Sequence, residues 1–207
     1  MNKLRIKRYL QRTILTLVII AISGCGTSPK PDFYHLEQDA STQLTGLERG
    51  LAIGIGPVNM APYLDRAQIV TRSGNHRLEL SEFNRWSEPL KNSVSRVIGI
   101  NLSNMLETNR VYLLPRRNKS IPLDYQVTID IARFDGQLGG DAKLTARWSL
   151  YGKDSKVQLT KVSIITEATQ GTGYDHLVAA ENQTLQKLSR EIVGVIEASD
   201  SDVQSVK

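Results

Sequence analysis

The spacing of apolar and polar positions changes period several times along the 207 residues, and each change marks an element. Leu51, Ile53 and Ile55 alternate with small residues, which predicts a strand over Leu51–Ile55. Gly54 and Gly56 leave room there for another backbone or side chain, and Pro57 ends or edges the strand. A shorter strand over Asp32–Glu37 precedes it. Next, Ala67–Arg72 and Arg77–Leu80 flank Ser73-Gly74-Asn75, the composition of a hairpin turn. From Trp86 to Thr108 the period becomes helical: Trp86, Leu90, Val94, Ile98, Leu102 and Leu106 recur every fourth position. Pro89 belongs to the first turn of that helix, with Asn84 or Ser87 as its cap.

Three longer strands follow. Leu123, Tyr125, Val127, Ile129 and Ile131 alternate with polar or small neighbours, and after Gly139-Gly140 so do Ala142, Leu144, Ala146, Trp148 and Leu150. A turn at Gly152–Ser155 leads into Val157–Thr166, where the phase slips between Leu159 and Val162 and predicts a bulge near Thr160. With one apolar face each, these strands predict an antiparallel meander with a solvated side. A last helix is expected from about Asp175, its cap, to Ala198, on a stripe of Leu177, Leu185, Leu188, Ile192, Val195 and Ile196. The polar end, 199–207, is expected to be disordered. The fold class is therefore α/β, a mixed but largely antiparallel sheet packed by two long helices in one domain over 32–198.

The N-terminal segment follows a different logic. Lys3, Arg5, Lys7, Arg8 and Arg12 precede an apolar run, Thr13–Ile22, and the small residues Ser23 and Gly24. That layout is a secretory signal over 1–24, and its run of about ten residues is too short to span a bilayer. A short membrane anchor or a frayed buried helix are the competing readings. The junction Ile22-Ser23-Gly24-Cys25 resembles the lipobox of bacterial lipoproteins, which implies that Cys25, the single cysteine, is acylated and heads the mature chain. Residues 25–31 then form a short polar tether to the domain.

Removing 1–24 changes the charge picture. The whole chain carries 26 Lys and Arg against 21 Asp and Glu; the signal holds five of the basic residues and no acid, so 21 face 21 afterwards. The basic excess belongs to the signal and gives no reason to expect nucleic acid as a partner. The remaining 183 residues suffice for one domain with a sizeable core.

Candidate chemistry is sparse. His35, His76 and His176 lie far apart, and none has another His or Cys at metal-ligand spacing. There is no Gly-x-Ser-x-Gly elbow. Gly54-x-Gly56 is followed by Pro57 rather than a helix start, and Gly171-Thr-Gly173 lacks the lysine of a phosphate loop. Asp124 and Asp130 fall on the polar face of a strand, where solvation is expected. No catalytic residue, metal or cofactor is expected, apart from covalent lipid on Cys25.

One stretch offers more than scaffold: "IGPVNMAPYLDRAQIVTR" over 55–72, followed by "FNRWSEPL" over 83–90. With the lipobox and the two-helix layout, these resemble the PqiC-type (YmbA) lipoproteins, the auxiliary lipoprotein components of ABC-type and MCE-domain transport systems. Ala67 departs from the proline expected after Arg66. The resemblance implies a three-layer α/β fold, no catalysis, and a role beside inner-membrane and MCE-domain (PqiB-like) components that move lipids between the two membranes. Gly26, where inner-membrane retention uses aspartate, directs the expectation to the outer membrane, with the domain in the periplasm. Tyr63, Leu64, Asp65 and Arg66 are the candidate partner contacts, two to bury apolar area and two to supply charge. Ring-like self-association would close a lipid outlet. The alternatives are a lipid-binding module with an acyl cavity between the sheet and the 86–108 helix, or a purely structural envelope lipoprotein.

Overall fold

A computed structural model of the chain describes residues 29–38, 50–74, 76–115 and 121–205, with side chains through Ser201. Residues 31–207 form one compact unit and 1–30 another, of which only the irregular 29–30 are described. Cys25 and the predicted signal lie outside the described residues.

The strands in order are β1 (Asp32–Tyr34), β2 (Ile53–Met60), β3 (Gln68–Arg72), β4 (Leu78–Trp86), β5 (Val111–Leu113), β6 (Tyr125–Gly136), β7 (Asp141–Tyr151) and β8 (Val157–Ala168). Helix α1 (Leu90–Met105) lies between β4 and β5, and α2 (Tyr174–Ser205) closes the chain. The eight strands of the described residues join in one mixed sheet. The longest ladders, β6–β7 and β7–β8, are the antiparallel meander; β2 lies parallel to β6 on one flank and to β5 on the other. The expected hairpin is β3–β4, with Ser73 N–H donating to the Arg77 carbonyl at 3.2 Å.

Alternation decides which face is covered. Val127, Ile129 and Ile131 of β6 and Leu144, Ala146, Trp148 and Leu150 of β7 are buried in one core with Val94, Ile98 and Leu102 of α1 and Leu185, Leu188 and Ile192 of α2. Both helices therefore share one face of the sheet and touch each other. The α/β class and the mixed sheet with two long helices match expectation, but the domain is one helical layer on one sheet, not three layers. The opposite face carries Asp130, Arg147 and Thr160 and is open to solvent.

Close approach explains two glycines. A Cβ on Gly136 would sit 2.5 Å from Leu177 Cδ1 and 2.8 Å from the Asp141 carbonyl oxygen. Gly56 has φ +124°, and a Cβ there would lie 2.6 Å from the Leu114 carbonyl oxygen. β2 runs through Pro57 rather than ending at it, because a register shift between Ile55 and Val58 absorbs the residue that cannot donate.

Several local expectations shift. Trp86 ends β4 and Asn84 lies within that strand, so neither belongs to α1. Pro89 is the N-cap of α1 without a side-chain cap bond, and neither Asn84 nor Ser87 caps it. In β8 the bulge falls at Gln158, since Leu150 pairs with Leu159 and Tyr151 with Val157. Val162 and Ile164 of β8 point outward, at 49% and 74% exposure. Its helix-facing positions mix apolar and polar: Ser163 and Ile165 are buried, Lys161 pairs with Glu191 of α2 at 2.8 Å, and Glu167 pairs with Lys187. Asp175 sits inside the first turn of α2, where it complements the helix dipole rather than capping. The end expected to be disordered from Ser199 continues α2 to Ser205; 199–205 holds no Gly or Pro, and Ile196 just before it is buried in the core.

Candidate functional site

β2 delivers the chain to the candidate turn. Ala61 N–H donates to the Ile131 carbonyl of β6 at 2.9 Å, and Pro62 then opens a single 3-10 turn, Pro62–Leu64. Proline suits that first position because its φ is preset and its missing donor costs nothing there. Leu64 N–H closes the turn on the Ala61 carbonyl at 2.9 Å.

The four contact candidates then part company. Leu64 is a core residue at 2% exposure and has no apolar area left for a partner. The Tyr63 hydroxyl points inward and donates to Asp135 Oδ2 at 2.7 Å. Its phenol is pushed up to about 12, by burial first and by the Asp135 carboxylate second. Only Asp65 and Arg66 face outward, Asp65 exposed and Arg66 half-buried. The Arg66 Nε is buried without a hydrogen-bond partner.

The same turn meets the second motif stretch. Trp86 N–H donates to the Ala67 carbonyl at 2.7 Å, and Gln68 pairs with Arg85 across β3–β4. A groove of about 360 Å³ results, with Asp65 and Arg66 on one wall and Trp86, Glu88 and Pro89 on the other. Glu88 is fixed there: its Oε1 accepts from Ser93 Oγ at 2.6 Å and from Arg96 at 2.7 Å. Those bonds hold its carboxyl below the usual range. Thus two sequence stretches some twenty residues apart converge on one surface.

Beneath the turn lies a hub that the sequence reading missed. Asp135, with no exposure, accepts from Tyr63 and also from Arg72 Nε at 2.7 Å and Arg133 Nε at 2.9 Å, both on its Oδ1. The Arg72 guanidinium lies 5.9 Å from the Tyr63 ring centre, within cation–π reach. On the other side of β6, Glu181 of α2 is 1% exposed. Its Oε2 has no partner, and burial, then the charge of Asp135, raise its carboxyl well above the usual range. The signal for Glu181 was present: it occupies the stripe position midway between Leu177 and Leu185.

The remaining polar candidates have structural partners. Asp124, expected to be solvated, accepts from Ala52 N–H at 2.7 Å and pairs with Lys153 at 2.8 Å. Burial works to raise its carboxyl, but these contacts outweigh it and the net shift is downward. Asp130 is exposed and accepts from Asn59 Nδ2 at 2.8 Å. His35 meets Glu37 at 3.1 Å on the surface, and His176 packs against Gly171. Among the described residues no three His, Cys, Asp or Glu side chains form a metal-sized group, and no helix is long and apolar enough to cross a membrane.

Known proteins share both sequence and fold. Residues 34–193 match the family of the ABC-type transport auxiliary lipoprotein component. The intermembrane transport lipoprotein PqiC of Escherichia coli (strain K12) is 23% identical over 172 residues, covering 82% of this chain and 88% of that protein. A crystal structure of an uncharacterized protein superposes with a TM-score of 0.67 at 17% identity, covering 81% of this chain and 99% of the other. A Xanthomonas campestris protein gives 0.66 at 16% identity, over 84% and 99%. Those two likenesses carry the fold, and the family match carries the rest. The chain belongs to the ABC-type transport auxiliary lipoprotein component family.

Proposed function

We propose that this auxiliary lipoprotein is anchored in the outer membrane through acyl chains on Cys25 and works, without catalysis, as a docking component of an intermembrane lipid transport system. The domain then faces the periplasm, meets the periplasm-spanning MCE-domain component there, and supports envelope integrity. More than one acyl chain makes such an anchor stable, since a single chain holds only marginally.

The observation that carries the docking reading is the convergence of Asp65 and Arg66 with Trp86, Glu88 and Pro89 on one groove. It presents a half-buried guanidinium whose Nε lacks a partner. An acidic side chain of the transport component entering the groove is the chemistry that would pair with the Arg66 guanidinium lining it. Self-association into a ring draws support from β8, which pairs only with β7 among the described residues and carries the exposed Val162 and Ile164.

The packing under α1 favours docking over carriage of an acyl chain. Val94, Val97, Ile98 and Leu102 are fully buried, and a Cβ on Gly99 would meet Leu113 Cδ2 at 2.9 Å. Purifying the full-length lipidated protein from its membrane and identifying bound proteins and lipids by mass spectrometry tests the reading. An MCE-domain protein is expected, without lipid at one copy per chain beyond the anchor. Stoichiometric lipid with no transport component would overturn it in favour of carriage.

A further inference from the structure

The sheet face that bears no helix holds a second polar site. A bulge at Ala132 resets the phase of β6, because Ile131 pairs with Ala146 and Arg133 with Thr145. Arg133 and Asp135 therefore share the outer face with Lys143, which stands directly opposite Asp135 on β7. β3 adds Arg72 at the seam where Thr71 pairs with Gly136. Arg72, Arg133 and Lys143, with Gly74, Gln137 and Asp141, line a recess of about 150 Å³.

Its charge is unbalanced. Arg72 and Arg133 both donate their Nε to one oxygen of Asp135, and a single carboxylate neutralises one guanidinium. Lys143 adds a third cation and makes no ion pair among the described residues. Asp141 is the one carboxylate among the residues lining the recess, against the cations Arg72, Arg133 and Lys143. Geometry is fixed as well. The Nε bonds hold both guanidinium planes, and the terminal nitrogens of Arg133 have no partner among the described residues. The two arginine side chains keep 21% and 31% exposure, so the recess opens to solvent.

We infer that this recess binds a phosphate-class oxyanion, with the fork of Arg133 and the ammonium of Lys143 as its principal donors and Arg72 as the positive wall behind them. A pre-oriented guanidinium matches the bidentate geometry of a phosphate, and the ammonium supplies a point charge beside it. About 150 Å³ holds a phosphate group with a few waters, and it is too small for an acyl chain as well. The ligand is free phosphate or the exposed phosphate of a lipid headgroup whose remainder lies outside. The inference stands on the charge and geometry of this face and does not depend on the docking groove.

The test is calorimetric titration of the full-length lipoprotein in maltoside micelles, at constant ionic strength, with inorganic phosphate and separately with dihexanoyl phosphatidic acid. Saturable one-to-one binding of at least one probe is expected. Tighter binding of the short-chain lipid than of phosphate identifies a headgroup site; equal or tighter binding of phosphate identifies a free-anion site. The pair Arg133→Gln and Lys143→Gln is expected to weaken binding at least tenfold. Lys143→Gln alone, which breaks no ion pair and leaves the hub intact, is expected to weaken it several-fold and keeps the test independent of folding. Arg147→Gln, a cation of the same face outside the recess, is expected to change nothing. No saturable binding of either probe, or equal weakening by Arg147→Gln, overturns the inference.

Discussion

The Tyr63 hydroxyl donates to Asp135 at 2.7 Å across 72 positions of sequence, tying the Pro62–Leu64 turn to the middle of the sheet. The acceptor is fully buried and is shared with Arg72 and Arg133. A bond to a charged, buried acceptor contributes about 1.5–3 kcal/mol, because its loss leaves part of that charge uncompensated. Tyr63→Phe is therefore expected to destabilise the domain by about that amount in denaturant unfolding. A loss below about 0.5 kcal/mol, the ordinary range of a surface change, would show that the hydroxyl does not hold the turn.

Glu181 gives a pH prediction with a definite sign. Burial, then Asp135, keep its proton on in the folded state, while the unfolded carboxyl ionises near the ordinary glutamate value of about 4.3. Unfolding above that pH releases a proton, so this contribution to stability is complete in acid and declines as pH rises toward the raised folded value. Glu181→Gln removes the decline. Melting curves at a series of pH values from acid to mildly alkaline are expected to show the variant gaining on the parent as pH rises. Parallel curves would mean that Glu181 is not held neutral.

Backbone crowding at Gly136 supplies a third test. An added Cβ meets Leu177 Cδ1 at 2.5 Å, the Asp141 carbonyl oxygen at 2.8 Å and Ala142 Cα at 2.9 Å. Two of those neighbours are backbone atoms and cannot rotate away. Gly136→Ala is expected to cost about 1–3 kcal/mol, in the range of overpacked cores. Gly194→Ala, with nothing within 4 Å of its Cβ and a helical backbone, is expected to stabilise by about 0.5–1 kcal/mol. Similar melting temperatures for the two variants would contradict this packing.

How much of this was legible beforehand divides by range. Strict alternation announced β6 and β7, and the Ser73-Gly74-Asn75 turn announced the β3–β4 hairpin. The start of α1 was misplaced because Trp86 has helical spacing with Leu90 and Val94, yet it pairs as the end of β4 with β1. Apolar residues in β8 were assigned to the core because alternation reports a face without saying which one. Only the neighbouring β7 and α2 show that Ser163 and Ile165 are the buried phase. Within the candidate site, the importance of the Tyr63–Arg66 stretch was legible and its division of labour was not. Which of the four side chains is core depends on Asp135, more than sixty positions away.

Anchoring makes a prediction separate from the domain. Cys25→Ser removes the proposed acylation site without altering any described core residue, so the domain is expected to melt at the same temperature while leaving the membrane fraction. Wild-type protein is expected in the outer-membrane fraction. A Cys25→Ser protein that stayed membrane-bound after processing, or wild type in the inner-membrane fraction, would contradict the anchor.

The central claim is that the groove between the turn and α1 meets the transport component, and site-specific photocrosslinking in intact cells tests it most directly. A photoreactive residue at Asp65 or Arg66 is expected to capture an MCE-domain protein, identified by mass spectrometry of the crosslinked band. The same residue placed at Lys91, exposed on α1 just outside the groove wall, is expected to capture far less. Equal capture from all three positions, or none from Asp65 and Arg66 while transport continues, would contradict the account.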